Sequence, residues 1–554
     1  MNYNEKYQKW VSKEDLDPAL KAELLSMDET AKEDAFYTDV EFGTAGMRGI
    51  LGAGTNRLNI YVIQKANVGF AKYIASLPEG KERGVAIGYD NRHMSYKFAI
   101  ESAKVLATYG IKSYIFESLR PTPELKCAGG IMITASHNPK EHNGYKVYDD
   151  TGCQLLPEAA DQVVQYVNEV EDELNIKVFS DEEAYPYMTW IGEEVDEAYY
   201  KEVMAIEVNP GMDKSDFKIV FSPQHGTSNI AVRTCLTRLG YDLVPVLAQC
   251  APDPDFSNTK SPNPEVPASY ELAIKKAKEV DADVVVITDP DGDRLGVVAK
   301  HNGEYVLMSG NQSAAVYLEY ILSQMKEKGT LPDNAVMYNT IVTSDLGELV
   351  ARSYGVDVEK TLTGFKFIGD KIRKYEQTHE KTFVFGYEES YGCVIKDFVR
   401  DKDAVQAVLT AAEAGNFYKK QGKDLVDVLN ELYAKHGTFK ETQIALSKAG
   451  AAGAARIKEI MDNLRKDAPQ EIGGVKVVKV EDYGNSTCSD GTTIQLPKSN
   501  VLKYYLEDGS WIAARPSGTE PKCKFYFSIK GSDADDAASK TEVFHKAMME
   551  IIGE

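Results

Sequence analysis

Three times along this chain, short β-branched runs alternate with stretches of helical periodicity, and no other feature limits the possible folds so strongly. In the first stretch VAIGYD (Val85 to Asp90) precedes a helical pattern over Ser95 to Tyr109, then SYIFE and GIMITA follow, and Pro157 to Val170 reads as a helix. In the second, FKIVFSP (Phe217 to Pro223), Asn229 to Leu239, Leu243 to Leu247, Ala268 to Val280 and DVVVITD (Asp283 to Asp289) repeat the order. In the third, Asn311 to Lys326, AVMYNTIV, Asp345 to Tyr354, Phe365 to Tyr375 and TFVFGYEE do so again. Such alternation implies parallel or mixed sheets covered by helices. From about Gly450 the pattern changes to a helix (Ala454 to Arg465), the runs VKVVKV, VLKYYLE, SWIAARPS and KFYFSIK, and a closing helix (Ala537 to Ile552). Strands clustered between helices indicate an α+β domain. The expectation is an α/β protein: α/β units over 1–205, 206–310 and 311–440, and an α+β domain over 441–554.

A chain of 554 residues exceeds what one hydrophobic core supports, which agrees with several domains. Its net charge of -22 repels phosphate backbones and anionic bilayers, so neither nucleic acid nor a membrane is an expected partner. The seven cysteines are odd in number, scattered and never in a CxxC pair, as suits reduced thiols rather than a disulfide framework or zinc site. The N-terminal MNYNEKYQKW lacks an apolar signal stretch, and the expected location is the cytoplasm.

Five loops carry chemistry. In GIMITASHNP (Gly130 to Pro139) an apolar run ends at Ser136, a hydroxyl able to hold a group covalently. A hydrolase dyad with His137 is disfavoured, because adjacent side chains rarely aim at one another and the GxSxG elbow is absent. In TDPDGDRLG, Asp289, Asp291 and Asp293 crowd three carboxylates after a strand, a set of hard oxygen donors suited to magnesium. An EF-hand is excluded, because Arg294 stands where that loop needs Gly and Lys300 where it needs Glu. RPSGTEPK offers Arg515, Ser517, the backbone of Gly518 and Thr519, donors that can wrap a phosphate. FGTAGMRG (Phe42 to Gly49) and GYEESYG (Gly386 to Gly392) complete the set.

In this order the five motifs resemble the α-D-phosphohexomutases, the phosphoglucomutases and phosphomannomutases, over nearly the whole chain. The resemblance implies four domains around a central cleft, and an isomerase that moves phosphate between two hydroxyls of a sugar. Ser136 would be the phosphoserine, and Asp289, Asp291, Asp293 and a phosphate oxygen on Ser136 would hold Mg2+. Glucose 1,6-bisphosphate would be intermediate and activator. Arg294 would lie on the substrate side, Arg515, Ser517, Gly518 and Thr519 would grip the phosphate not being transferred, and Glu388 and Ser390 the sugar. Arg48 and Lys146 are cations placed to face the transferring phosphate, with Lys146 or His137 as general acid/base, and Lys366 and His225 as weaker candidates. The expected reaction interconverts glucose 1-phosphate and glucose 6-phosphate. A pentose or mannose mutase, or a sugar-bisphosphate synthase on the same scaffold, is the alternative. Two departures stand out. Tyr387 stands where many relatives run from Gly straight to Glu, which touches on sugar choice, and the chain has no room for the usual helix between Leu125 and Gly130.

Overall fold

Runs that are apolar on both faces become the centres of sheets: Val85–Tyr89, Gly129–Ile133 and Val284–Thr288 are buried along their whole length, as strands covered on both faces must be. The computed structural model describes residues 1–43, 46–120, 127–448, 450–517 and 522–554. The first sheet holds β1 (Met47–Ile50), β2 (Val85–Tyr89), β3 (Ser113–Phe116), β4 (Gly129–Ile133), β5 (His142–Tyr148) and β6 (Met188–Ile191), in the order β1-β5-β4-β2-β3-β6. Its β4, β2, β3 and β6 run parallel, while β5 and β1 are antiparallel additions. The second sheet holds β7 (Lys218–Ser222), β8 (Asp242–Pro245), β9 (Val284–Thr288), β10 (Leu295–His301) and β11 (Glu304–Met308), in the order β11-β10-β9-β7-β8. The third holds β12 (Ala335–Thr340), β13 (Asp357–Thr361), β14 (Thr382–Tyr387) and β15 (Cys393–Val394), ordered β13-β12-β14-β15.

The fourth sheet is antiparallel: β16 (Thr438–Ser447), β17 (Glu471–Ile472), β18 (Val475–Asp482), β19 (Thr487–Cys488), β20 (Leu502–Leu506), β21 (Trp511–Pro516) and β22 (Lys522–Gly531). The helices Gly450–Lys466 and Ala534–Ile552 flank it, as an α+β domain requires. A boundary between residues 440 and 441 is corrected by this sheet. It would cut β16, which pairs with β22 from Thr438 to Ser447 and so belongs wholly to the last unit. The polar alternation of FKETQIALS hides this strand, because one of its faces is open to solvent.

The second and third units share one apolar cluster, in which Phe221 and Val286 meet Met337, Phe385 and Val408. Three N-terminal helices, Tyr3–Ser12, Pro18–Ser26 and Glu29–Phe36, form a satellite core around Trp10 and Phe36. Asn2, Asp17 and Asp28 accept backbone N–H bonds at their starts. Of the interval between Leu125 and Gly130, Lys126 lies outside the described residues, as do 121–125, while Cys127 and Ala128 form no helix and β4 begins at Gly129. The sheet face that carries Ala86, Gly88 and Gly130 also carries Tyr114, Met132 and Tyr148, and a side-chain carbon at Gly88 would sit 3.0 Å from the Met132 sulfur. Tyr148 and Cys153 also reach across to the third unit, the phenol donating to Asp401 at 3.3 Å and the thiol to the Lys366 carbonyl. All seven cysteines are free thiols, six of them buried. Among the described residues no helix is long and apolar enough to cross a membrane.

Candidate active site

Ligand sites of open α/β sheets gather beyond the carboxyl ends of the parallel strands, and the motif loops stand there. Ser136 follows β4, Asp289 follows β9 and Glu388 follows β14. Ser136 is buried and adopts the left-handed conformation (φ 52°), which costs energy for a residue with a Cβ. That conformation turns its hydroxyl toward the second unit, where Oγ donates to Asp289 Oδ2 at 2.6 Å. It also brings Oγ within 3.0 Å of His137 Nδ1. Adjacent side chains do meet here, against the expectation, because the positive φ swings both toward one side of the loop.

Asp289, Asp291 and Asp293 bring one carboxylate oxygen each within 4.8 Å of one another. Gly292, at φ 72°, makes the turn between the last two possible, and its carbonyl accepts from Ala404 N at 3.0 Å at the start of a third-unit helix. The Asp289 Oδ1 accepts two backbone N–H bonds, from Asp293 and Arg294, at 3.0 Å each. Asp291 Oδ1 and Asp293 Oδ1 are buried and have no hydrogen-bond partner, a costly state for a carboxylate unless a cation completes it. Three oxygen donors with two orphaned atoms fit a hard divalent ion.

Cations from three units balance these acids. Lys146 on β5 reaches Asp291 at 2.7 Å and Asp293 at 3.6 Å, and Lys402 of the third unit reaches Asp293 at 3.2 Å. Arg294 bonds Glu265 at 2.8 Å and lies 3.7 Å from Asp293. Burial, then the charges of Asp291 and Asp293, hold the Asp289 carboxyl well above the ordinary carboxylate range. Burial pushes Asp291 the same way, but the Lys146 ammonium, a hydrogen bond with Asp289 and the charge of Lys402 together outweigh it and hold this carboxyl below its ordinary value. The reverse holds for Lys146, which burial disfavours as a cation while Asp291 keeps it one. Burial, joined by the charges of Arg294 and Arg48, keeps the His137 imidazole neutral far below its usual value.

Arg92 was missed by sequence reasoning. Fully buried, its guanidinium donates to the carbonyls of Ser136, Asn138, Pro139 and His142 at 2.5 to 3.1 Å, clamping the serine loop. It stacks 5.1 Å from the Phe256 ring centroid of the second unit and pairs with Asp90 at 3.3 Å. Asp90 in turn accepts from Thr134 Oγ1 and Ser95 Oγ at 2.7 Å. The signal available was position alone, since Asp90 and Arg92 follow β2 at its carboxyl end. Lys402, between Asp401 and Asp403, carried no signal of spacing, because only the fold sets it against Asp293.

Arg48 on β1 reaches the loop through Asn138 Oδ1 at 3.1 Å. Glu388 is buried, its Oε1 accepting from Gly364 N at 2.9 Å, and Ser390 lies partly buried two residues on. Tyr387 is excluded from the sugar loop's face: fully buried in the shared core, its hydroxyl would touch any side-chain carbon at Gly347. It is a packing residue and bears on sugar choice only through the backbone. Lys366 is buried at the start of the helix Lys366–Thr378, its ammonium 5.5 Å from the Phe367 ring, and burial pulls it down to about 8. His225 serves the backbone, with Nδ1 2.7 Å from the Ala251 carbonyl. Burial holds the Tyr526 phenol and the Glu389 carboxyl above their ordinary values, and the charge of Arg515, nearby at the end of β21, opposes this in each. Ser517 N donates to the Lys522 carbonyl at 2.7 Å, closing the loop's base, while Gly518 and Thr519 lie outside the described residues. Lys524, also missed, faces Glu265, Glu389 and Arg294.

A serine facing a carboxylate cluster, with cations converging from successive α/β units, defines an enzyme of phosphoryl transfer. The family descriptions for phosphoglucomutase/phosphomannomutase match the chain in order: α/β/α domain I over residues 39–174, domain II over 197–303, domain III over 309–436 and the C-terminal domain over 455–546. The chain belongs to this family. It is 38% identical over 524 residues to a phosphoglucomutase of Staphylococcus epidermidis, covering 92% of this chain and 94% of that one. Among solved structures, the open form of the Paramecium phosphoglucomutase pp63/parafusin superposes with a TM-score of 0.67 at 19% identity, covering 93% of this chain and 97% of that one. An Aspergillus fumigatus N-acetylphosphoglucosamine mutase, solved with GlcNAc-6P and magnesium, superposes at 0.53 and 14% identity, covering 93% and 96%. At those identities the likeness is one of fold.

Proposed function

We propose that the chain interconverts glucose 1-phosphate and glucose 6-phosphate through a phosphorylated Ser136 and a glucose 1,6-bisphosphate intermediate. The observation that carries this reading is the Ser136 hydroxyl 2.6 Å from Asp289, beside two carboxylates with unpartnered oxygens. The relationship to the Staphylococcus phosphoglucomutase supports the choice of sugar. Asp289, Asp291 and Asp293 would hold Mg2+, as suits the magnesium in the Aspergillus mutase. A cation bound there neutralises the phosphoryl oxygens during transfer.

In the first half-reaction the bond from phosphorus to Ser136 Oγ breaks and one to a sugar hydroxyl oxygen forms, the proton of that hydroxyl ending on the released serine oxygen. In the second, Oγ attacks the other phosphate of the bisphosphate, the bond from that phosphorus to the sugar oxygen breaks, and the proton given up by the serine ends on that sugar oxygen. His137 Nδ1, neutral and 3.0 Å away, accepts the serine proton then. Between His137 and Lys146 as acid/base, the 3.0 Å approach of Nδ1 to Oγ favours His137, while Lys146, paired with Asp291, stays an ammonium for the transferring phosphate. Arg48 stabilises the same loop. Arg515, Ser517, Gly518 and Thr519 grip the remaining phosphate, Arg294 and Lys366 flank the substrate, and Glu388 and Ser390 hold the sugar hydroxyls. Two grips outside the reaction centre are what exchange of the substrate's ends demands.

The test is turnover with and without a trace of glucose 1,6-bisphosphate, on glucose 1-phosphate, mannose 1-phosphate, ribose 1-phosphate and glucosamine 1-phosphate. Stimulated turnover with the highest kcat/KM for glucose 1-phosphate is expected. A higher value for ribose or mannose 1-phosphate overturns the sugar. Net release of phosphate, or accumulation of the bisphosphate, overturns the mutase.

A further inference from the structure

Lys503 on β20 is fully buried, yet the chemistry above makes no use of its amine. Its Nζ donates to the backbone carbonyl of Ile341 in the third unit at 2.7 Å. The ammonium also lies 3.8 Å from the Trp511 ring centroid and 4.9 Å from that of Tyr505. Trp511 Nε1 adds a second bridge to the third unit, donating to Asp345 Oδ2 at 3.2 Å. An aliphatic chain of similar size would fill this space without the cost of desolvating an amine. What the amine adds is direction, because a hydrogen bond to one carbonyl fixes the relative placement of two units that apolar contact alone leaves free to slide.

Both ends of that bond lead to groups that hold substrate. Lys503 pairs with Ala513 and Tyr505 with Trp511 in the ladder, so by the two-residue period Arg515 shares the face of Trp511 and Ala513. That face packs on Ile341, Val342 and Leu362. On the other side Ile341 stands between Thr340 and Thr343, whose hydroxyls donate to Glu389 Oε2 at 3.0 and 3.3 Å. Glu389 adjoins Glu388 in the loop after β14.

We propose that Lys503 is a positioning residue that sets the phosphate-gripping strand of the fourth unit against the sugar-holding loop of the third. The proposal rests on the roles given above to Arg515 and Glu388. Lys503 touches no substrate. It fixes the spacing between the two grips through the 340–343 loop, so its loss weakens the simultaneous hold on sugar and distal phosphate while each grip stays intact.

The experiment compares the full-length protein with Lys503→Met, which keeps the stem and removes the donor, using glucose 1-phosphate with saturating glucose 1,6-bisphosphate. Binding that is weakened equally in ground and transition states raises KM and spares kcat, so a KM rise of about ten-fold with kcat within about three-fold is expected. Hydrogen exchange read by mass spectrometry should show lost protection confined to the 340–343 loop and to β20 and β21. Trp511→Phe, which keeps a smaller aromatic ring and loses the bond to Asp345, is the second variant and should shift KM in the same direction by less. A lowered melting temperature with unchanged KM in both folded variants overturns the proposal and leaves Lys503 a packing residue. Absence of mutase turnover in the unaltered protein would instead count against the functional reading itself.

Discussion

At the scale of single residues, the site holds buried charges that keep one another ionised, as Lys146 does for Asp291. Ser136 sits strained and buried between Asp289 and His137. Ser136→Ala keeps the backbone's needs and removes the proposed phosphate carrier, so turnover should fall to background while the melting curve moves little. Near-normal activity in that variant, with phosphate mapped to another residue, would exclude the covalent mechanism. Lys503 provides a test in pH. Burial pulls its ammonium down to about 7, with Lys360 acting the same way and Asp345, Glu348 and Glu481 opposing. The unfolded chain, with an ordinary lysine, therefore binds more protons than the folded one between about pH 7 and 10. Stability from this group consequently rises with pH across that window, and the penalty is fully present below it. Urea unfolding of the unaltered protein and of Lys503→Met at pH 7 and pH 9 should show a gain toward pH 9 that the variant lacks.

At the scale of elements, the loops after strand ends carry the candidate site, and neighbouring elements restrain those loops. The serine loop owes its shape to Arg92, which four carbonyls accept from. Arg92→Met leaves those carbonyls unpaired beneath the Phe256 ring. The expected cost is about 3 to 5 kcal/mol, as for one partner removed from a buried ionic network, measured by chemical unfolding. Catalysis should fall more steeply than substrate affinity, since Ser136 loses its aim. The metal loop makes a separate prediction. With Asp291→Asn or a chelator, turnover should vanish, and added magnesium should restore only the chelated enzyme. Full activity in a chelator would exclude the divalent site.

At the scale of the whole molecule, the second and third units share one core and the fourth is joined to the third by a smaller interface. Phe385→Ala removes a fully buried ring from the shared core, a change worth about 3 to 5 kcal/mol. Calorimetry should then show units two and three moving together as one transition. Two separate shifts would contradict the shared core. The fourth unit contributes Arg515 and Lys524 from one strand pair, Arg515 opposite Lys524. Arg515→Ala should raise KM by about one to two powers of ten, as for a lost charge-assisted bond of roughly 1.5 to 3 kcal/mol, with the melting temperature nearly unchanged.

The residues themselves determined the three alternating units, the switch to an α+β tail, and the loops that carry serine, carboxylates and phosphate donors. Periodicity and short motifs are local properties, and those loops are local. The strand β16 escaped notice because one open face breaks up its apolar pattern, and Tyr387 drew attention that its burial in the core removes. Tertiary structure alone decided which distant groups meet: Lys146 and Lys402 at Asp293, Arg92 over the serine loop, Lys503 against Ile341. It also decided that Ser136 and His137 face one another, through a backbone conformation no pattern announces. The reason is physical. Spacing along the chain reports which residues share a face, whereas a charge pair between units depends on how whole sheets are packed, and packing is set by the sum of many side chains at once.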